Sequence, residues 1–416
     1  MNDQERDIKA LRKVAAEYME IANKPIQEER RKMWEEHFAL KKTRVPIVTN
    51  FGTWTAWCAE EFSDDKMECK DPFYRHFERA LRMQIFQYET GDDIIQDPWI
   101  TMFSVRTGPP GMFGEAWGLQ ADIHHSGEQG GAFKTDAPIK DWSDMKKLVA
   151  PKYGIDKAAT EKNYERLHKA VGDIIEVDLN NGLPLAYFGG DISTTIAYLR
   201  GLEQIMLDMY VDPDKFHELL GFLRDGILAA QDAAEAAGEL TLTCSGNQTQ
   251  PYTLGLERIK ANSGPRKRKD LWGFMAAQEY TLISPEFHDK FLLEYQKPIM
   301  APFGLMHYGC CEDLTKKIDI LRTIPNLRSI AVTPAADVKE CARQIGKDYV
   351  MSWRPNPADT VCMDWNEDRL NRVLDEGIEA CSDGYYHVFL KDIETLQGET
   401  DRLKRFVEMT RNKLDS

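Results

Sequence analysis

The sequence predicts an α/β fold, a (β/α)8 barrel of TIM type. Three observations carry that reading. Short apolar runs rich in β-branched residues alternate with amphipathic helical stretches from residue 44 onward, eight or nine times, which is the pattern of βαβ crossovers and a parallel sheet. No G-x-G-x-x-G follows the first run and no G-x-x-x-x-G-K-[ST] occurs, so dinucleotide and P-loop architectures lose support. No proline- or glycine-rich linker divides the 416 residues. Residues 1–43 are therefore read as an N-terminal helical extension and 44–416 as a single barrel domain.

The elements follow in order. Residues 1–43 read as helix, with Leu11, Val14, Tyr18, Ile21 and later Met33, Trp34, His37 and Phe38 at helical spacing. RVPIVTNF (44–51) is the first strand. Residues 71–88 form a helix with Phe73, Phe77, Leu81 and Ile85 on one face. DIIQDP (93–98) is a second short apolar segment, ended by proline. Residues 101–140 carry TGPPGMFG and SGEQGG around His124 and His125 and read as a loop or hairpin insertion. A helix is expected near 158–174, a strand at PLAYFGGD (184–191), helices at 193–199, 202–210 and 214–237, and a strand at LTLTCSGN (240–247). Ser284-Pro285-Glu286 is a helix start, with serine as N-cap and proline at the first helical position. Strands at 304–309, 327–332, 348–353 and 385–390 and a closing helix over 399–413 complete the pattern.

Charge excludes one class of partner. Lys+Arg is 53 against Asp+Glu 68, a net −15, and a phosphate-backbone binder needs clustered cations. No apolar run approaches the roughly 20 residues of a membrane span. The charged N-terminus has no apolar h-region, so it does not read as a secretory signal. With no export signal, the eight cysteines read as reduced thiols of a cytoplasmic protein.

Chemistry in a barrel gathers at the C-terminal ends of the strands. Those ends offer Asn50, Asp97, Asp191, Cys244, Tyr308 with Cys310 and Cys311, Arg354, and Lys391 with Asp392. HYGCCE (307–312) is the sharpest signal, because two thiols, an imidazole and a carboxylate follow one apolar run. Zinc takes those donors; the alternative is two small buried cysteines in a loop. Strand alternation sends His307 and Tyr308 to opposite faces. The candidate ligands are Cys310, Cys311, Cys244, Glu312, His307 and, from the insertion, His125; each histidine has a plainer role as a hydrogen-bonded loop or core residue. Lys391 and Asp392 could orient a substrate oxygen or simply close an ion pair. Gln278-Glu279 invites the same comparison. Asn50, Trp54 and Trp57 after the first strand could wall a planar ligand or pack on the N-terminal helices, and Asp97 and Arg354 could bind substrate polar groups. PRKRK (265–269) reads as a solvated loop.

Longer segments resemble a known family. YFGGDISTTIAYLRGLEQIMLDMYVDPDKFHELLGFLRDGI, SPEFHDKFLLEYQKPI followed by HYGCC, and LKDIETLQGETDRLKRFVEM are similar in order and spacing to segments of the uroporphyrinogen decarboxylase superfamily, over roughly residues 44–412. That superfamily contains decarboxylases and corrinoid-linked methyltransferases, both on (β/α)8 barrels. Where its decarboxylases carry an arginine-rich motif after the first strand, this chain has NFGTWTAW. Its methyltransferases bind zinc through His-x-Cys and a later Cys. Here Tyr308-Gly309-Cys310 holds the first register and Lys391 the later position, so Cys310 carries over alone. YGCCE, RPNP and LKDI resemble longer members similar to O-demethylating methyltransferases.

The resemblance implies methyl transfer from a small methylated compound, a methoxylated aromatic, to the cobalt of a corrinoid (cobalamin) held by a partner protein. Zinc is the implied metal, Tyr308, Glu279 and Lys391 with Asp392 are the proton-donor and orienting candidates, and a homodimer is an open expectation. Decarboxylation of an acidic substrate, or a binding barrel without chemistry of its own, stands as the alternative.

Overall fold

The computed structural model describes residues 2–50, 56–108, 115–127, 133–242 and 248–416. Two helices open the chain. In α1 (Asp3–Ala22) Asn2 and Glu5 form a capping box, side chain to backbone in both directions. Pro25 starts α2 (Pro25–Phe38) at its first position, where a missing N–H and a fixed φ suit a helix start. That proline is why the expected single helix is two.

The remaining elements follow in chain order: β1 (Ile47–Thr49), α3 (Ala56–Glu61), α4 (Pro72–Glu89), β2 (Trp99–Phe103), β3 (Asp122–His125), β4 (Phe133–Asp136), α5 (Lys157–Val171), β5 (Glu176–Asn180), α6 (Ser193–Arg200), α7 (Leu202–Val211), α8 (Pro213–Ala236), β6 (Trp272–Met275), β7 (Leu305–Tyr308), β8 (Leu327–Val332), β9 (Val350–Trp353) and β10 (Tyr385–Leu390). A last helix spans Arg402–Asp415. The hairpin β3–β4 is the expected insertion. Ser284 caps Phe287 N at 3.3 Å with Pro285 at the first helical position, as its sequence indicates.

Six strands form one parallel wall in the order β1-β10-β9-β8-β7-β6. First strand meets last, with Ile47 opposite Val388 and Thr49 opposite Leu390, the adjacency that closes a barrel. This is the TIM-type α/β architecture the alternation predicts. β9 is buried at all positions, and burial on both faces is what makes such strands read as continuous apolar runs. β2 pairs with β5, also in parallel.

The second quarter of the barrel departs from expectation. Residues 184–191 are not a strand. Leu185, Tyr187 and Ile192 take left-handed φ of 48°, 52° and 65°, and such residues break a pleat. The strand is instead β5, whose polar Glu176 and Asp178 hide its period. Residues 240–242 are irregular, and 243–247 lie outside the described residues. DIIQDP is not a strand either: Asp93 accepts from Ile47 N at 2.8 Å and Asp92 from Thr49 N at 2.9 Å, so this segment braces β1 with side chains.

Apolar side chains from the helix-facing side of the wall, such as Ile47, Met306, Ile330 and Val388, are fully buried with the helices around them, at about 1.5–3 kcal/mol each. The interior also holds a polar thread. His37 Nε2 lies 3.0 Å from His387 Nδ1, and His387 Nε2 2.9 Å from Ser352 Oγ. Ser352 donates to Gln248 at 3.1 Å, and Gln248 donates to Gly309 O at 3.3 Å. His307 Nε2 reaches the same carbonyl at 3.1 Å. Burial lowers His37 and His307 to about 3, so the imidazoles stay neutral and the thread carries no charge.

Candidate functional site

The C-terminal ends of β6, β7, β9 and β10 gather two unlike clusters. The first is a thiol pair. Gly309, at φ 105°, turns the chain off β7 and sets buried Cys310 beside exposed Cys311, sulfur to sulfur 3.6 Å. A Cβ at Gly309 would lie 2.8 Å from Leu314 Cδ1 and 2.9 Å from Ala331 Cβ, so the turn requires glycine. Lys391 Nζ, from the end of β10, donates to Cys310 Sγ at 3.3 Å and pairs with Asp392 at 3.3 Å. Arg354, from the end of β9, pairs with the other Asp392 oxygen and stands 4.0 Å from Cys311 Sγ. It is 3% exposed, and its Nε finds no partner among the described residues.

This arrangement stores one negative charge on two sulfurs. The Cys310 thiol donates to Cys311, and with Arg354 and Lys391 nearby it lowers Cys311 to about 6. Cys310, as the donor, is pushed up, with burial adding to the effect. Lys391 touches Cys310 rather than Cys311, so its field acts on the shared charge. The exposed sulfur is thus a thiolate at neutral pH, the form that reacts.

The second cluster is acidic. Glu279, after β6, is half-buried and accepts from Ser193 Oγ at 2.7 Å. Asp191 is fully buried, and accepts from Thr194 N at 2.9 Å and Thr194 Oγ1 at 2.8 Å. Burial raises Glu279, with Glu312 adding to it. Burial raises Asp191 further, with the charge of Glu279 beside it. Carboxyls in this setting hold protons that water would take.

Glu312 joins the two. One oxygen accepts from Cys310 N at 2.8 Å and Cys311 N at 3.0 Å, and the other from Ala277 N at 2.7 Å. It is fully buried and fixes the β7 turn against the β6 turn that carries Glu279. Lys317 stands behind, donating to Thr281 O at 3.3 Å, and burial lowers it to about 8.

Several residues singled out by sequence stand elsewhere. Tyr308 is turned to the helical layer, where its hydroxyl meets His288 at 2.8 Å and Gln296 at 2.8 Å; it is fully buried and is not a donor to the mouth. His307 faces the interior, spent on Ser329 at 3.0 Å and Gly309 O, so it is no ligand partner of the thiols. Asp97 precedes β2 rather than ending a strand. It is held by Arg31 at 2.9 Å and Tyr252 at 2.6 Å, and burial raises it to about 6. His125 is exposed on the hairpin against Phe133. Asn50 donates its backbone N–H to Leu390 O at 2.7 Å, one residue from Lys391. Trp54 and Cys244 lie outside the described residues, as does the side chain of Trp57. Sequence reasoning missed Ser193, Thr194 and Lys317. The run Asp191-x-Ser193-Thr194 at a helix start was the available signal for the first two.

The described donors do not make a zinc site. Two sulfurs 3.6 Å apart suit adjacent ligands, but Glu312 is committed to three backbone N–H groups, His307 is turned away, and two cations stand beside the sulfurs. No group of three metal-ligating side chains occurs among the described residues.

No protein-family profile matches the chain, and no curated protein matches it by sequence. A solved structure does: a methyltransferase from Methanosarcina mazei, with a TM-score of 0.52 and 11% identity, over 93% of this chain and 99% of that one. The likeness establishes the shared barrel fold. No helix of the described residues is long and apolar enough to cross a membrane.

Proposed function

We propose that the chain is a methyltransferase. It moves a methyl group from a small methylated substrate, a methoxylated aromatic, to the cobalt of a corrinoid carried by a partner protein. The observation that carries this reading is the half-buried Glu279, its pKa raised, at the strand ends that also hold Arg354 and Lys391. The fold shared with a methyltransferase supports it.

The corrinoid, when docked, supplies the nucleophile that takes the methyl. The O–CH3 bond breaks and leaves its electron pair on oxygen. Glu279 donates its proton to that oxygen. Arg354 and Lys391 hold negative charge at the mouth, and Ser193 aims the Glu279 carboxyl. Zinc on Cys310 and Cys311 would need a further donor such as Cys244. Stoichiometric zinc in purified chain, lost on Cys310→Ala, is the sign that it has one.

The test is release of the demethylated phenol when chain, methoxyarene and reduced corrinoid protein are mixed. Glu279→Gln should lower turnover about 100-fold or more with substrate binding kept. No phenol from a panel of methoxyarenes sinks the reading. The Nε of buried Arg354, which has no partner among the described residues, favours a second reading, decarboxylation of an acidic substrate, which would release CO2 without cobalt.

A further inference from the structure

Among the described residues, β6 is hydrogen-bonded to β7 alone, and no described strand pairs with its other edge. Along that edge lies a cavity of about 300 Å³, between β6 and the β2–β5 pair. This is within the size of small-molecule sites. None of the thiol pair, Glu279 or Lys391 lines it.

Three observations bear on what it takes. Its walls are apolar and partly aromatic, including Trp272, Phe274, Phe303 and Met306. Three of its polar lining groups are buried and unsatisfied: Gln231 Oε1, Ser104 Oγ and Trp272 Nε1 find no partner among the described residues. Such atoms cost free energy unless something fills their hydrogen bonds. The lining segment also contains the left-handed Leu185 and Tyr187, and backbone held so tends to mark ligand sites. Among the described lining residues Arg106 is the one that carries a charge at neutral pH; it is exposed and bonded to Asn181 O. A charge carried deep into the chamber would therefore lack a counter-charge.

We propose that this chamber is a binding site, separate from the thiol–acid mouth, for an uncharged and largely apolar small molecule bearing a hydrogen-bond donor for Gln231. The apolar body displaces water from the walls of β6, and the donor satisfies Gln231 Oε1. Ser104 can give or accept a second bond. Nothing in this depends on methyl transfer.

Calorimetric titration of the full chain with p-cresol and with toluene tests it. The two probes share a ring and a methyl group, and p-cresol adds one O–H donor. p-Cresol should bind about tenfold tighter than toluene. Gln231→Leu should bring the two within about twofold. Ala186→Phe, which fills the chamber from its lining, should abolish binding of both, with thermal melting confirming that each variant is folded. Equal binding of the two probes to wild type, or p-cresol binding unchanged in Ala186→Phe, overturns the proposal. If Gln231→Leu does not fold, the wild-type ratio and Ala186→Phe decide.

Discussion

The two halves of the barrel mouth set the same kind of problem and solve it in opposite directions. Each holds a pair of acids in a half-buried place, Cys310 with Cys311 and Asp191 with Glu279. Beside the thiols stand Lys391 and Arg354, so one proton leaves and Cys311 falls to about 6. Beside the carboxyls stand hydroxyls and a backbone N–H, so burial wins and both are raised. Neighbouring charge, rather than side-chain type, decides which group is ionised. A thiolate and a carboxylic acid coexist because Glu312 spends its charge on three backbone N–H groups between them.

That comparison breaks most thoroughly at Glu312. Glu312→Ala leaves two buried N–H groups and one part-buried N–H without acceptors and should cost about 3 kcal/mol or more, read as a lower urea midpoint. An unchanged midpoint would mean the bridge holds nothing. Gly309→Ala comes next. A methyl at φ 105° against Leu314 and Ala331 should cost about 1–3 kcal/mol and slow the alkylation of Cys311 by displacing it.

Lys391→Met sharpens the thiol half alone. Losing a cation disfavours the thiolate, so the pH midpoint of Cys311 alkylation by iodoacetamide should rise by about one unit. Cys311→Ser should remove the fast alkylation phase, and a midpoint unmoved by Lys391→Met would assign the charge to other groups. Asp191→Asn sharpens the acid half. A carboxyl raised by folding stabilises the native state below its unfolded pKa, and that stability is lost as pH rises through the folded value. Asn removes the dependence. The variant should therefore melt higher than wild type above neutral pH and no higher at pH 4. A gain independent of pH would contradict the raised pKa.

Sequence and structure agree best where strands are buried on both faces. β7, β8, β9 and β10 read as continuous apolar runs, so the residues just past their ends, Cys310, Cys311, Glu312, Arg354, Lys391 and Asp392, were legible as a cluster. Glu279 was singled out only as an acid beside Gln278, because β6 was not among the expected strands. The quarter containing β2 and β5 was not. PLAYFGGD is apolar enough for a strand, but its left-handed residues are invisible in composition. Glu176 and Asp178 mask the strand that does form. Asp97 was misplaced because the apolar run before it meets β1 through the Asp92 and Asp93 side chains and one backbone bond, Asp93 N to Ile47 O, instead of forming a strand. His307 and Glu312 were offered as metal ligands because spacing shows proximity, whereas their partners are set by tertiary contacts with Ser329 and the β6 turn.

The most direct test of the proposed chemistry is the pH–rate profile of single-turnover methyl transfer. With Glu279 as the proton donor, the rate should fall as pH rises through its raised pKa. In Glu279→Gln it should be low and lose that limb. A variant that keeps both the wild-type rate and the wild-type limb would contradict the account.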